Sequence, residues 1–463
     1  MAQLLESFSQ SQKETLRRIT ELLEPEGAEL YLVGGCVRDS LLGIPPKDID
    51  IEVFRCESPA LESRLREQFK IDCIGKSFGV YHIAGQSIDI SLPRKESKTG
   101  LKHTDFKIEG DPFMQPEEAA SRRDFTLNAI YYHLQTKTLF DPFQGAQDLS
   151  ERRLRHCSTA FIEDPLRVLR AMQFIARFRL NVAPETLALC RSLNPQHIPK
   201  ERIWDEWKKL LFKGEAIGLG LQFLADCDWL QYFPQLQATI DCPQDPEWHP
   251  EGSVWEHTKL CMDAFARARI GDEWEDLIVG LATLCHDLGK VVTTERSEDG
   301  RIRSPQHAIK GLPIAKSFLQ LMTDQKKVFD EVLPLVSAHM QPQNLYKNNS
   351  GDAAIRRLAA KVQRIDRLVR LARADHSGRS PQGLEDCPIA DWLIRRSEDL
   401  KLRSSAPQAL IQGRDLIAHQ LEPSPEFSKI LTQCYEAQLD GVFDDAESAQ
   451  VYLKSFLKDQ KYI

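Results

Sequence analysis

Residues 29–52 read ELYLVGGCVRDSLLGIPPKDIDIE. The run of β-forming, mostly apolar residues at 29–33 ends in two glycines, and the helical segment that follows stops at Gly43. This order predicts a strand, a glycine turn and a helix. The next stretch, 47–54, alternates charged and apolar side chains with the period of two that is typical of a half-buried strand. The first part of the chain is therefore predicted to be α/β.

Asp48 and Asp50 lie two residues apart in this second strand, so both carboxylates are predicted to leave the same face. Magnesium and similar hard cations take oxygen ligands and often bind one or two protein carboxylates together with water and nucleotide phosphates. Asp89, in the neighbouring predicted strand 87–92, is a candidate third carboxylate. Two ions held about 4 Å apart can activate a hydroxyl and stabilise a leaving pyrophosphate. The alternative interpretation is a solvated sheet face.

Gly34 and Gly35 lie between a strand and a helix. There the missing side chains let backbone N–H groups approach a phosphate, and the helix N-terminus adds positive potential. Arg38, one turn into the helix, can donate charge-assisted hydrogen bonds to the same oxygens. The pattern is neither GxGxxG nor GxxxxGK(S/T), which argues against dinucleotide folds and P-loop enzymes. A plain tight turn is the alternative.

The chain has 463 residues, 42% hydrophobic and 28% charged, a balance typical of about two to four globular domains. Membrane-length apolar runs and a secretory signal are both missing, and the 11 cysteines form no CxxC pair, so a cytoplasmic protein with reduced thiols is expected. The net charge of −8 argues against a surface coated with nucleic acid, although positive charge is in surplus over 152–213 and 356–379.

Helical periodicity dominates beyond about residue 152, where strand signals become rare. An amphipathic helix is also predicted at 3–24, and two short strands at 80–84 and 87–92. The segment 94–121 is polar and too long for a compact turn, so it is predicted to be an extended loop.

Five motifs follow one another along the chain: LVGGCVRDSLLG, KDIDIE, RRDFTLNAI (122–130), DPFQGAQDL (141–149) and EDPLRVLRAMQFIARF (163–178). In this order they resemble the bacterial class of tRNA nucleotidyltransferases and their poly(A) polymerase relatives, within the polymerase-β-like nucleotidyltransferase superfamily. The resemblance implies an α+β protein with a nucleotidyltransferase head (1–145), an all-α neck (146–240), an HD-type helical body (241–385) and a helical tail (386–463).

The same resemblance implies magnesium-dependent transfer of CMP and AMP from CTP and ATP to the 3′ end of tRNA. By that likeness, Asp48 and Asp50 bind magnesium, Gly35 and Arg38 hold the triphosphate, Arg123 and Asp124 contact the sugar and phosphates, and Asp164 and Arg167 hydrogen-bond the base edge, with Arg170 nearby. The segment 94–121 resembles the flexible loop of enzymes that complete the CCA end, which favours an activity that includes AMP addition.

Asp164 and Arg167 suit the base-reading role chemically. Cytosine and adenine both present an amino group beside a ring-nitrogen acceptor, so one carboxylate and one guanidinium can bind either base. However, an aspartate directly before Pro165 is also typical of a helix cap. Arg167 and Arg170 are equally compatible with surface pairing to nearby acids.

A second motif set lies between residues 250 and 380: VWEHTKL, LATLCHDLGK, SPQHAIKG, LVSAHMQP and LARADHSG. It resembles an HD phosphohydrolase domain. The resemblance implies a second divalent metal (nickel, manganese or magnesium) at His257, His286, Asp287, His307, His339 and Asp375. Imidazoles and a carboxylate can hold such an ion and lower the pKa of its bound water for phosphate ester hydrolysis. The alternative is a helical region that only supports RNA.

Four other functions stay open at this point: an adenosine-only tRNA transferase, a poly(A) polymerase, a regulator that modifies and demodifies a signalling protein, and a tRNA-binding protein without catalysis. The EDPLR helix beside RRD favours an RNA end over a signalling protein as substrate. A protein that only binds tRNA has no need of Asp48 and Asp50.

Overall fold

The computed structural model describes residues 4–74, 79–98, 106–379, 386–460 and 462. Within these residues the chain forms two compact units, the first made of 1–210 and 219–232 and the second of 211–218 and 233–463. Helices occur in both units and the larger sheet lies in the first, which confirms the predicted α+β class. The division into four parts stays a prediction.

The described part of the first unit has a larger sheet and two small ones. Its strands are β1 (Glu29–Val33), β2 (Ile49–Phe54), β3 (Ile71–Ile74), β4 (Val80–Ile83), β5 (Ile88–Ser91), β6 (Arg94–Lys98), β7 (Phe106–Gly110), β8 (Tyr131–His133), β9 (Thr138–Phe140), β10 (Arg153–Leu154) and β11 (Asn181–Val182). The described order in the larger sheet is β3-β4-β5-β2-β1-β8-β9, in which β2 and β5 run parallel and the other neighbours antiparallel.

The helices up to residue 226 are α1 (Gln10–Leu23), α2 (Gly35–Leu41), α3 (Ser58–Gln68), α4 (Pro116–Ser121), α5 (Gly145–Ser150), α6 (Leu166–Phe178), α7 (Pro184–Ser192), α8 (Lys200–Lys213) and α9 (Ile217–Asp226). The predicted strand, glycine turn and helix are confirmed as β1, Gly34 and α2.

The two faces of the central strands carry different side chains. Ile49, Ile51 and Val53 of β2 belong to an aliphatic core that also includes residues of α1 and α3. The alternate residues of β1 and β2, such as Tyr31 and Phe54, join a smaller aromatic cluster. Because side chains alternate along a strand, Asp50 is directed away from the aliphatic core.

Two predicted boundaries are wrong. The N-terminal helix begins at Gln10 and not at residue 3, because Ser9 and Gln12 form a reciprocal capping box that defines its first turn. The acidic strand begins at Ile49 rather than at residue 47, since its first paired residue is Ile49 opposite Ile88. Asp48 therefore lies in the bend before the strand.

The prediction of a loop over 94–121 is wrong for 94–98, 106–110 and 116–121, which form two strands and a helix, whereas 111–115 is irregular as predicted. β6 and β7 pair as an antiparallel ribbon from Arg94 opposite Gly110 to Lys98 opposite Phe106, and α4 follows. Backbone pairing satisfies the main-chain polar groups of this polar stretch. Residues 99–105, which also belong to the predicted loop, lie outside the described residues.

The second unit is mainly helical. Its described elements are β12 (Glu295–Arg296), β13 (Ile302–Arg303), α10 (Pro234–Gln237), α11 (Val254–Arg267), α12 (Glu273–Cys285), α13 (Lys290–Thr293), α14 (His307–Lys310), α15 (Leu312–Gln320), α16 (Lys326–Ala338), α17 (Gln341–Lys347), α18 (Asp352–Val362), α19 (Ile365–Ser377), α20 (Pro388–Asp399), α21 (Gly413–Ala418), α22 (Pro425–Asp440) and α23 (Ala446–Asp459). Helix α12 packs against α11, α16 and α19. The last three helices share a small apolar cluster.

Candidate functional site

The bend between β1 and α2 is formed by Gly34, whose φ of +71° lies in the region that favours glycine. A Cβ atom on Gly34 would lie 2.9 Å from Nη1 of Arg123 and 3.9 Å from Oδ2 of Asp50. The bend, a guanidinium and a carboxylate therefore meet at one point. A side chain on Gly34 would fill the space between them.

Asp50 and Asp89 occupy directly paired positions on the parallel strands β2 and β5. Oδ1 of Asp89 lies 2.7 Å from Nδ1 of His82 on β4. Loss of hydration raises the pKa of Asp50, and the positive charge of Arg123 opposes that shift. The negative charges of Asp89 and Asp48 raise the pKa further, so both lie near enough to repel Asp50. The structure thus brings together the three acids predicted from the sequence.

Arg123 is held beside these acids by Tyr131 and Glu52. Its guanidinium lies 5.1 Å from the centre of the Tyr131 ring, and its Nε donates to the Tyr131 hydroxyl at 3.2 Å. That hydroxyl donates to Oε2 of Glu52 at 2.6 Å. Burial alone lowers the pKa of Arg123, but Tyr131 and Glu52 outweigh it and the pKa is raised. Sequence reasoning missed both partners, although Glu52 continues the period-two spacing of Asp48 and Asp50.

Arg38 is buried beneath the bend, with 4% of its surface exposed. Its Nη2 donates to Asp39 at 2.6 Å and its Nη1 to Asn128 at 2.5 Å. Its guanidinium also lies 5.2 Å and 4.8 Å from the ring centres of Phe174 and Phe178. Burial lowers the pKa of Arg38. This arginine is thus held in place by its neighbours before any ligand binds.

Asp124 is buried and its carboxylate is occupied within the chain. Oδ1 accepts hydrogen bonds from the backbone of Phe125 at 2.8 Å and from Asn128 at 2.9 Å, and Oδ2 accepts from Arg170 at 2.7 Å. Burial alone raises the pKa of Asp124, but Arg170 and Asn128 outweigh it and the pKa is lowered. Asp124 and Arg170 therefore form a fixed ion pair.

Asp164 and Arg167 lie at the start of α6. Oδ1 of Asp164 accepts from the backbone N–H of Leu166 at 3.1 Å, although the N-cap position is Pro165 and not the Asp164 that the capping interpretation expected. Oδ2 accepts from Arg202 at 2.7 Å, a partner that sequence reasoning missed. Arg167 donates to the carbonyl oxygens of Ala160 and Arg122, each at 2.8 Å. Both side chains are oriented by these contacts.

The second cluster lies in the second unit and is centred on Asp287, which is buried. Its Oδ1 lies 3.3 Å from Nε2 of His307 and 3.7 Å from Nε2 of His339, and its Oδ2 lies 3.4 Å from Nε2 of His286. Lys290 contacts Oδ2 at 2.7 Å. Burial raises the pKa of Asp287, but Lys290 and His286 outweigh it and hold the pKa well below its usual range.

Three imidazoles of this cluster share one orientation. Nδ1 of each lies within 2.8 Å of a backbone carbonyl oxygen, which can only accept, so Nδ1 carries the proton in His286, His307 and His339. Burial lowers the pKa of His339 to about 3, which keeps that ring neutral.

The Nε2 atoms of these rings consequently point into the cluster. Those of His307 and His339 face one another at 3.0 Å, and Nε2 of His286 is buried without a hydrogen-bond partner among the described residues. Imidazole nitrogens that converge beside a carboxylate are the donor set that a divalent transition metal prefers. The residues present therefore fit such an ion.

His257 completes the cluster from α11. Its Nε2 lies 3.1 Å from Oδ1 of Asp375 and 3.3 Å from Sγ of Cys261, while its Nδ1 lies 2.7 Å from Oε1 of Glu251. Oε1 of Glu251 also lies 2.8 Å from Nδ1 of His249. The structure therefore brings together all six residues predicted for the HD metal.

Three further residues of this cluster were missed by sequence reasoning: His249, Glu251 and Cys261. The first two lie in the Pro-rich stretch 243–252, where no site residue was predicted. Cys261 lies four residues after His257, one turn along the same helix face, and this spacing is the signal that could have found it.

An open cavity of about 320 Å³ adjoins the cluster. His307 and Lys290 line it from the metal-ligand side, and Lys347 and Arg379 add positive charge. Trp248, which is 54% exposed, forms another part of the lining. A cationic cavity with an accessible aromatic ring fits a phosphate joined to a planar group.

Comparison with known families matches three parts of the chain: a poly A polymerase head domain over residues 30–155, a probable RNA and SrmB-binding site of polymerase A over 179–240, and an HD domain over 254–371. The multifunctional CCA protein of Xanthomonas oryzae is 33% identical over 88% of this chain and 96% of its own length. This chain belongs to the multifunctional CCA protein family. The multifunctional CCA protein of Shewanella denitrificans is 35% identical over 69% of this chain and 76% of its own length.

Solved structures share the fold of this family member. The CCA-adding enzyme of Bacillus stearothermophilus in complex with CTP aligns with a TM-score of 0.67 at 21% identity, covering 98% of this chain and 99% of that one. The Thermotoga maritima CCA-adding enzyme complexed with tRNA aligns with a TM-score of 0.59 at 19% identity, covering 98% of both chains. Among the described residues no helix combines the length and apolarity that a bilayer crossing needs.

Proposed function

We propose that this chain adds CMP and AMP, from CTP and ATP, to the 3′ end of tRNA and so completes and repairs the CCA end. The observation that carries the proposal is the meeting of Gly34, Asp50 and Arg123 at one point, with Asp89 paired to Asp50. Family membership supports the substrates, since similar CCA-adding enzymes were solved with CTP, ATP and tRNA. We place the reaction in the cytoplasm, a reducing compartment that suits eleven free thiols.

In this proposal Asp48, Asp50 and Asp89 hold the catalytic magnesium, because the negative charges of Asp89 and Asp48 both act on Asp50 and a hard cation takes such carboxylate oxygens as ligands. When bound, the ion supplies Lewis-acid polarisation of phosphate oxygens. No covalent intermediate with the protein is required. The activated 3′ hydroxyl of the RNA attacks the α-phosphorus and pyrophosphate leaves.

The triphosphate is received by the glycine bend. The backbone N–H groups at Gly34 and Gly35 can bind an anion, and Nη1 of Arg123 lies 2.9 Å from the position of a Gly34 Cβ. Nη2 of Arg38 reaches to 3.6 Å from the position of a Gly35 Cβ, which places a second guanidinium beside the bend. We expect the ion pair of Asp124 and Arg170 to lie beside the sugar of the bound nucleotide.

Asp164 and Arg167 are proposed to select cytosine and adenine. We expect Asp164→Ala to reduce the preference for CTP and ATP over UTP by about tenfold or more, because a lost hydrogen bond to the base is worth about 1.5 kcal/mol when charged. The measurement is kcat/KM for each nucleotide on tRNA that lacks its terminal residues. Glu163→Ala, at the exposed preceding residue, is the matched control. An unchanged preference in Asp164→Ala would remove this residue from base selection.

The experiment that tests the whole proposal uses tRNAs lacking CCA, lacking CA, lacking A and complete, each with labelled CTP or ATP. Addition of two cytidines and one adenosine, followed by arrest, is the expected result. Incorporation from ATP alone on tRNA ending in CC would instead identify an adenosine-only enzyme. Long adenosine tails would identify a poly(A) polymerase.

A second function is supported by the cluster around Asp287: metal-dependent hydrolysis of phosphate esters. His257, His286 and Asp375 would hold one ion, and Oδ1 of Asp287 with His307 and His339 forms a neighbouring donor set. When bound, such an ion lowers the pKa of a coordinated water molecule to about 7. Lys290 and Arg379, which line the adjoining cavity, supply positive charge for the phosphate.

Trp248 is proposed to stack on the base of a nucleoside phosphate in this cavity. Base stacking on an aromatic ring is worth about 1–3 kcal/mol, so Trp248→Ala should raise KM for adenosine 3′-phosphate about 5- to 100-fold at unchanged kcat. Hydrolysis of glycerol phosphate, which has no base, should not change. Trp248→Phe keeps a ring and should restore most of the affinity. Equal losses with both substrates would contradict stacking.

A further inference from the structure

Cys261 lies within the HD cluster and has no role in the functions above. It is fully buried on α11, with its Sγ 3.3 Å from Nε2 of His257 and 3.9 Å from the carbonyl oxygen of Asp375. Gly378 packs directly against it, since a Cβ there would lie 2.3 Å from the sulfur. Because the backbone of Gly378 lies directly against the sulfur, a ligand can reach the thiol only from the side that faces the histidines.

A second observation points to a ligand at this position. Nε2 of His286, a residue with 1% of its surface exposed, has no hydrogen-bond partner among the described residues. Donor atoms of His286, His257, Asp375 and Cys261 all lie within 4.8 Å of one another. Two nitrogens, one carboxylate oxygen and one sulfur at such spacing suit a single ion held at about 2.0–2.3 Å from each.

We propose that the Cys261 thiolate is a ligand of the metal held by His257, His286 and Asp375, and that it selects a thiophilic ion over magnesium or manganese. This inference rests on the proposed metal-dependent function of the cluster. Thiolates favour zinc and related late transition metals, whereas magnesium and manganese favour oxygen ligands. The thiol gives up its proton to solvent as the metal–sulfur bond forms.

The test is a titration of the metal-stripped full-length protein with Co²⁺, whose bond to a thiolate produces a sulfur-to-metal charge-transfer band in the near ultraviolet. We expect the band to appear with one equivalent of Co²⁺ at this cluster and to be lost in Cys261→Ser. Cys285→Ala is the matched control, because Cys285 is a fully buried thiol directly before His286 and lies outside the cluster. That variant should keep the band.

Metal preference is the second readout. Loss of even an outer-shell partner costs about 10- to 100-fold in metal affinity, so Cys261→Ser should lower the affinity for Zn²⁺ relative to Mn²⁺ by at least about tenfold. Stoichiometric Co²⁺ binding without the band, or an unchanged Zn²⁺ to Mn²⁺ ratio, overturns the ligand role and leaves the hydrolytic function standing. Failure of the wild-type protein to bind Co²⁺, Zn²⁺ or Mn²⁺ at this cluster overturns both.

Discussion

Replacement of Asp50 by asparagine is expected to lower the rate of both CMP and AMP addition by about 10³-fold or more. The change removes a negative charge from the point where the glycine bend, Arg123 and Asp89 meet. Loss of several kcal/mol of metal-mediated stabilisation of the transition state corresponds to a rate loss of that order. Single-turnover addition to tRNA lacking CCA, measured with each nucleotide, gives the number directly.

The matched control is Glu67→Gln in the last turn of α3, since Glu67 is exposed and α3 packs in the aliphatic core, on the face of the sheet opposite to Asp50. It should add nucleotides at the wild-type rate. Phosphate release by the second unit should be unaffected in both variants, which separates a lost site from a lost fold. An Asp50→Asn protein that adds nucleotides at full rate would eliminate the proposed magnesium site.

The second large effect is expected for His286→Ala, which should reduce phosphate release from nucleoside 3′-phosphates and 2′,3′-cyclic phosphates by about 10³-fold or more. Nε2 of His286 is buried, faces the cluster and has no hydrogen-bond partner in the described part of the chain. Its removal weakens metal binding and with it the activation of water. Steady-state phosphate release, with bound metal quantified in the same samples, is the measurement.

His419→Ala provides the comparison for that variant, because it removes an imidazole from the described tail outside any candidate metal group. It should behave as wild type. The His286→Ala protein should still add nucleotides to tRNA, which shows that the loss is local. Hydrolysis at the wild-type rate by a metal-depleted His286→Ala protein would show that the cluster has no part in the reaction.

Local pattern was sufficient to predict the strand, glycine bend and helix that form one side of the first candidate site. The alternation of charged and apolar residues around Asp50 places Ile49 and Ile51 on one face of the strand and Asp50 on the other, whatever the strand pairs with. The tertiary structure then buries Glu52 and Phe54 on the second face as well. Two glycines between a strand and a helix likewise specify the bend, because few other residues adopt its backbone conformation. The position of Asp89 in a neighbouring strand was also predictable, because residues 87–92 show the same alternation of polar and apolar side chains.

Partners from distant parts of the chain were not predictable. Arg202 pairs with Asp164 across 38 residues and Tyr131 holds Glu52 across 79 residues, and no periodicity links such positions. The start of the N-terminal helix at Gln10 and the ribbon of β6 and β7 were predicted wrongly for a related reason. In both, hydrogen bonds to particular side-chain or backbone groups outweighed the average pattern of the segment.

The amino-acid sequence by itself determined the local features of both sites. These are a glycine bend followed by spaced acids, and a series of histidines and aspartates from His257 to Asp375. These features follow from side-chain periodicity and backbone preference, which are local properties. Only the tertiary structure decided that Asp287 lies between two groups of imidazoles and that Cys261 joins one of them. Proximity across more than a hundred residues depends on how helices pack, and packing is a property of the whole core.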